Sequence, residues 1–278
     1  MKKKLLVACV LLSCLIATAQ NKKAALPARG LCAHRGDMTN YPENTLPALQ
    51  HAINVGAQMI EFDVQLSADS VMVIMHDNTV DRTTNGTGEV SALTFAQLRA
   101  LDAGSRKSAS FTGTRIPTFE EVLDIMPANI WLNCHLKGGA PVGRAAALLV
   151  HKKGRKAQAF LACGEEAGAA ARAVVPDILI CNAETKYRTN DAMYVQATID
   201  MHASFIQLVV TKDSGARKPL VEQLKRNDVK VNFFMAKETS ELPYLYDLGI
   251  DFVLVNDMDL FIPVAARLGI KPVKPIYK

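Results

Sequence analysis

The chain has 278 residues, 49% of them apolar, with 32 Lys and Arg against 27 Asp and Glu. That is enough for one large domain with a sizeable core. Three lysines and no acid lie in the first 19 residues, so the formal charge of +5 falls to +2 beyond them, and no basic excess argues for a nucleic-acid partner.

Lys2-Lys3-Lys4, the apolar run Leu5 to Ile16 and the small-x-small site Ala17-Thr18-Ala19 read as a secretory signal peptide over residues 1–19. The run is too short to span a membrane. The reading implies export to the periplasm or the medium, Gln20 at the mature terminus, and one domain over residues 20–278. A rival cleavage box, Leu11-Leu12-Ser13-Cys14, would place a lipid anchor on Cys14 but leave the apolar pair Leu15-Ile16 at the terminus. Four cysteines follow: Cys32, Cys134, Cys163 and Cys181. They sit in predicted strands with no zinc spacing and read as small buried residues; export permits a disulfide, but nothing indicates one.

The first predicted strand, Leu31 to Ala33, ends in His34-Arg35-Gly36. A loop through Pro42-Glu43-Asn44-Thr45 leads to a helix from Leu46 to Val55, closed by Gly56. The next strand contains Glu61 and Asp63. Side chains alternate along a strand, so these two carboxylates share one face while Ile60, Phe62 and Val64 take the other. The turn Ser67 to Ser70 is too short for a parallel return, so Val71 to Met75 is expected as an antiparallel hairpin strand ending in His76-Asp77. Residues 78–117 are rich in Thr, Gly and Ser, with one short helix expected over Ser91 to Leu101.

A helix at Phe119 to Ile125 opens a regular alternation. Strands are predicted at Ile130 to Leu136, Ala159 to Cys163, Ile178 to Asn182, Phe205 to Val210, Val229 to Phe234 and Phe252 to Val255. Helices such as Gly143 to Lys152 and Pro219 to Arg226 lie between them. Without the hairpin strand, eight βα-type strands remain, which predicts a (β/α)8 TIM barrel with a small insertion after the second barrel strand, at about 78–117. An open doubly wound sheet is the alternative, but its usual glycine-rich first turn is absent.

On this scheme the polar residues gather where strands end, which is where barrel active sites form. His34 and Arg35 follow the first strand, Glu61 and Asp63 the second, His76 the hairpin strand, and His135 and Lys137 the next. The set suits phosphodiester cleavage. Two histidines can move protons near neutral pH, Arg and Lys can hold a phosphoryl group, and a carboxylate pair can hold a hard divalent ion. Both histidines are expected at a solvent-accessible mouth.

His34-Arg35-Gly36, Pro42-Glu43-Asn44-Thr45, Ile60-Glu61-Phe62-Asp63-Val64, His76-Asp77, Arg82 to Gly88 and Ile116 to Leu123 together resemble the glycerophosphodiester phosphodiesterase family in order and spacing. The resemblance is specific from Ala33 to Leu123 and fades beyond, with an echo at Leu248 to Asp257. It implies a metal-dependent phosphodiesterase on a TIM barrel, acting on a glycerophosphodiester or related alcohol phosphodiester. It implies His34 and His76 as the acid/base pair, Glu61 and Asp63 as ligands of Mg²⁺ or Ca²⁺, and Arg35 and Lys137 on the phosphate. Glu43 would support Arg35 or the metal.

Where the family has Glu-x-Lys, with Glu as a third metal ligand, this chain has His135-Leu136-Lys137. Imidazole suits transition metals better than it suits Ca²⁺. His135 is therefore a candidate metal ligand, with hydrogen bonding to substrate as the other option and Glu184 as a substitute carboxylate. The Ser-Phe pair common after the next strand is replaced by Ala162-Cys163-Gly164, and the Trp-Thr-Val-Asn segment by Val231 to Phe234. The competing functions are a binding protein that has lost turnover and a barrel enzyme with another substrate. A glycosidase fits poorly, because its two carboxylates flank a bond rather than share one strand face.

Overall fold

The computed structural model describes residues 25–209 and 217–277. The signal-peptide and Cys14 expectations lie outside them. The elements run β1 (Gly30–Ala33), α1 (Leu46–Val55), β2 (Met59–Leu66), β3 (Met72–Ile74), α2 (Phe95–Ala100), α3 (Phe119–Ile125), β4 (Trp131–Leu136), α4 (Ala140–Lys152) and β5 (Ala159–Cys163). They continue with α5 (Glu165–Val174), β6 (Leu179–Asn182), α6 (Asp191–Asp200), β7 (Phe205–Val209), α7 (Arg217–Arg226), β8 (Lys230–Phe234), α8 (Leu242–Asp247), β9 (Phe252–Val255) and α9 (Met258–Arg267).

Eight of these strands pair in parallel, in the order β1-β2-β4-β5-β6-β7-β8-β9, and β9 returns to β1 with Leu31 opposite Val253. The sheet is therefore a closed (β/α)8 barrel and not an open doubly wound sheet. β3 lies antiparallel on β2, with Val64 opposite Ile74, outside the barrel cycle.

Period-two alternation sorts the strand residues. Leu31, Ile60, Phe62, Leu132, Leu161, Ile206, Val231 and Val253 are buried in the layer between barrel and helices, against Leu49, Ile53, Val122 and Ala146. The alternate positions face the barrel axis. Trp131, Phe160, Phe205 and Phe252 fill its lower end. Phe160 and Phe205 stack with centroids 3.9 Å apart, and Trp131 meets Phe205 edge-on at 5.3 Å. With that end plugged by aromatic rings, the inward charged groups lie toward the C-terminal ends of the strands.

Residues 78–117 form the expected insertion, with a small core of Val80, Val90, Leu98, Ala103 and Ile116 against Val73 and Met75 of the hairpin. The single helix expected over Ser91 to Leu101 is instead a 3-10 turn at Val90–Ala92 followed by α2. The break falls at Thr94, whose side chain and that of Gln97 form a reciprocal capping box. Helix α4 begins at Ala140, three residues before the expected start, because Pro141 is tolerated in a first turn. All four described cysteines are buried and free. Among the described residues no helix is long and apolar enough to cross a membrane.

Candidate active site

The mouth is built around Glu61 and Asp63, which are 2% and 0% exposed on the inner face of β2. Taking two carboxylates out of water requires compensating partners. The backbone N–H of Arg35 donates to Glu61 Oε2 at 2.9 Å. Asp63 Oδ1 lies 3.1 Å from Lys137 Nζ and 3.0 Å from His135 Nδ1. Burial pushes the Asp63 carboxyl up, but the hydrogen bond and charge of His135, with Lys137 behind, outweigh it and hold the group well below the usual carboxylate range. Burial likewise works against charge on His135, yet its bonds to Asp63 and Glu61 keep the imidazole above its ordinary value.

The loop after β1 reaches these groups only through unusual backbone. Arg35 has φ 52°, Gly36 φ 76° and Asn44 φ 58°. A Cβ on Gly36 would sit 2.6 Å from the Ala48 carbonyl carbon, so only glycine fits there. The turn sets Arg35 over the carboxylates, with Nη1 donating to Glu43 Oε1 at 2.9 Å and Nε 3.4 Å from Asp63 Oδ2. That Nε makes no hydrogen bond within the protein. Glu43 is thus paired with Arg35. Burial raises the Glu43 carboxyl, but Arg82 and Arg35 together bring it below its ordinary value.

Both histidines are held through Nδ1. His34 Nδ1 donates to Asn256 Oδ1 at 2.7 Å, and His76 Nδ1 donates to Asp77 Oδ1 at 2.6 Å. Asp77 is kept well below the normal carboxylate range by the hydrogen bonds from Arg82, against some burial and with help from His76. Only His76 has the expected solvent access, with a third of its side chain exposed. His34 is 6% exposed and packs edge-on against Phe234, because it is the inward residue directly above β1 rather than part of a rim loop.

Glu61, Asp63 and His135 each offer a ligand atom within 4.8 Å of the others, so the three could hold a metal ion. The donor set fits a divalent cation: two buried carboxylates carry the charge, and their oxygens suit Mg²⁺ or Ca²⁺ while the imidazole favours a transition ion. Glu184 is not in this group. It accepts the Glu165 N–H at 3.2 Å and caps the first turn of α5. Beside the group opens a cavity of about 570 Å³ lined by Asn78, His135, Lys137, Gly164, Glu184 and Arg188.

Sequence reasoning assigned no role to Asn44, Asp77, Arg82 or Asn256. Asp77 and Arg82 were readable only as parts of a motif, and Asn256 meets His34 across 222 residues of chain.

Comparison with known proteins follows the same division of the chain. The sequence profile of the glycerophosphoryl diester phosphodiesterase family matches residues 34–156. A glycerophosphodiester phosphodiesterase of Caldanaerobacter subterraneus subsp. tengcongensis is 47% identical over 108 residues, 38% of this chain and 44% of the relative. Glycerophosphodiester phosphodiesterase 1 of Mus musculus is 44% identical over 117 residues, 41% of this chain and 35% of the relative. The chain spans less than half the length of these curated relatives. The crystal structure of a glycerophosphodiester phosphodiesterase from Agrobacterium tumefaciens superposes with a TM-score of 0.73 at 25% identity, covering 85% of this chain and 99% of that one. The family profile thus falls on the part of the chain that builds the mouth, residues 34–156, and the whole barrel is similar in fold to a solved glycerophosphodiester phosphodiesterase.

Proposed function

We propose that the protein is an exported, divalent-metal-dependent phosphodiesterase that hydrolyses glycerophosphodiesters, or a related alcohol phosphodiester, to a phosphomonoester and an alcohol. The observation that carries this reading is the pair of histidines, each fixed through Nδ1 beside a carboxylate pair. Holding Nδ1 as the donor leaves Nε2 of each ring as the atom that takes or gives a proton. A binding protein would have little use for two such rings.

In this mechanism one histidine accepts the proton of the attacking water as its oxygen bonds to phosphorus. The other donates a proton to the leaving alcohol oxygen as its bond to phosphorus breaks. Arg35 and Lys137 hold the phosphoryl oxygens, Arg35 with its Nε, which makes no hydrogen bond within the protein, and Lys137 as a point charge. A divalent cation on Glu61, Asp63 and His135 would supply Lewis-acid stabilisation of the charge that builds on the phosphoryl group. The names borne by the relatives support glycerophosphodiesters as the substrate class.

The test is a panel of phosphodiesters presented to the mature protein with Mg²⁺, Ca²⁺, Mn²⁺ and Zn²⁺, before and after chelation. Hydrolysis abolished by chelator and restored by metal is expected. Undiminished turnover in metal-free protein would defeat the metal assignment, and no turnover of any diester would defeat the enzyme reading. Export rests on Lys2 to Ala19 and is checked by mass spectrometry of envelope protein. Gln20 at the terminus is the expected result; a lipid-modified Cys14 would replace it with the anchored form.

A further inference from the structure

Arg82 lies in the insertion, outside the barrel, with about half of its side chain exposed at 48%. Its guanidinium nevertheless holds two carboxylates of the mouth at once. Nε and Nη2 donate to Asp77 Oδ2 and Oδ1 at 2.6 and 3.0 Å, while Nη1 and Nη2 donate to Glu43 Oε2 and Oε1 at 2.8 and 2.7 Å. The same Asp77 Oδ1 receives His76, and the same Glu43 Oε1 receives Arg35. The result is one continuous chain of charge-assisted contacts: His76, Asp77, Arg82, Glu43, Arg35. Only the planar fork of an arginine can meet two carboxylates side by side in this way; a lysine can meet them only as a point charge.

A half-exposed ion pair contributes little to global stability. What these contacts supply is direction. Arg82 is itself set by the fold of the insertion, where Val80 is buried, Val80 N–H donates to Gly88 O at 3.0 Å, and the fully buried Thr84 closes back on Val80 O at 2.8 Å. We propose that Arg82 is a positioning residue: by pairing with Asp77 and Glu43 together, it sets His76 and Arg35 at once, so the proton-transfer and phosphate-binding sides of the mouth are aligned by one side chain of the insertion. The kinetic half of this inference rests on the phosphodiesterase reading; the orientation of the His76 ring does not.

The experiment uses the metal-loaded mature protein with glycerophosphoethanolamine, or whichever diester of the panel is turned over. Arg82→Ala is expected to lower kcat roughly 10- to 100-fold, the scale of small misplacements in a site, and to raise KM severalfold with an almost unchanged melting temperature. In a His76→Ala background the kcat loss from Arg82→Ala should shrink to about twofold, and in an Arg35→Ala background its KM rise should vanish, as for residues acting through one another. Arg82→Lys should recover only part of the activity. Independently of turnover, the ¹⁵N resonances of the His76 imidazole, assigned by their loss in His76→Ala, should shift in Arg82→Ala. If Arg82→Ala unfolds, Arg82→Lys carries the same comparisons. Additive losses in both backgrounds, or an unmoved His76 signal, would overturn the proposal. Protein that hydrolyses no diester would defeat the functional reading alone and leave the imidazole signal to decide the role of Arg82.

Discussion

Asn44 and Asp63 grip each other from both sides. Asn44 Nδ2 donates to Asp63 Oδ2 at 2.9 Å, and the backbone N–H of Asp63 donates back to Asn44 Oδ1 at 3.1 Å. Both residues are buried, and Asn44 holds its place with φ 58°, a conformation that Asn tolerates better than most residues. Asn44→Ala should cost about 1–3 kcal/mol through the unpaired groups it leaves. Asn44→Asp should cost more, because it sets a carboxylate against Asp63. Urea unfolding checks both, and midpoints equal to wild type would refute the clamp.

The two histidines should behave alike in catalysis and differently in stability. His34→Ala and His76→Ala are each expected to lower turnover by about two to four orders of magnitude. Only His34→Ala should also lower the melting temperature, since it empties a buried site against Phe234. Near-native turnover in either variant would remove that histidine from the mechanism.

His135 bears on the choice of metal. Replacing a carboxylate ligand by imidazole removes a negative charge, so affinity should lean toward Zn²⁺ or Mn²⁺ over Ca²⁺. His135→Glu is expected to move the preference toward Ca²⁺ or Mg²⁺, and Glu184→Gln to leave it unchanged because Glu184 caps α5. Calorimetric titration of each variant with each ion decides. An unchanged profile in His135→Glu, with binding lost in Glu184→Gln, would reverse the assignment.

The insertion carries an acid-sensitive joint at Asp102. Its carboxylate accepts the N–H groups of Gly113 at 2.7 Å and of Ser105 and Gly104 at 2.8 Å each, and these bonds pull it down to about 2. A folded-state value below the unfolded one, which is about 3.9, means the stabilisation is whole above pH of about 4 and fades as pH falls toward about 2. Amide exchange of residues 102–114 should therefore accelerate through that window ahead of the barrel strands. In Asp102→Asn the step should be absent; a step that persists there would belong to another group.

The barrel was legible because its strands are buried on both faces and its helices carry plain end signals. Leu46 to Val55 could be closed at Gly56, which the structure holds in the left-handed conformation of a helix end. Glu61 and Asp63 could be placed on one face because a strand has period two. What stayed hidden was contact at long range. Nothing in Asn256 says that it meets His34, and nothing in Arg82 says that it bridges Asp77 and Glu43, since barrel closure and the seating of an insertion leave no local period. Glu184 misled for the opposite reason: a carboxylate after a strand is compatible with a metal site, and only the approach of α5 shows that it serves a helix end.

The aromatic plug gives the molecule a built-in optical reporter. Trp131 is the chain's one tryptophan. It sits 7% exposed at the foot of the barrel, edge-on to Phe205 and tilted against Phe160, with its indole N–H donating to Pro27 O at 2.8 Å. Its emission therefore reads the seal between the segment leading into β1 and the barrel floor. Loosening of the floor would shift that emission to the red while the chemistry at the far end of the strands stayed spectroscopically silent. Fluorescence and turnover thus watch opposite ends of one barrel.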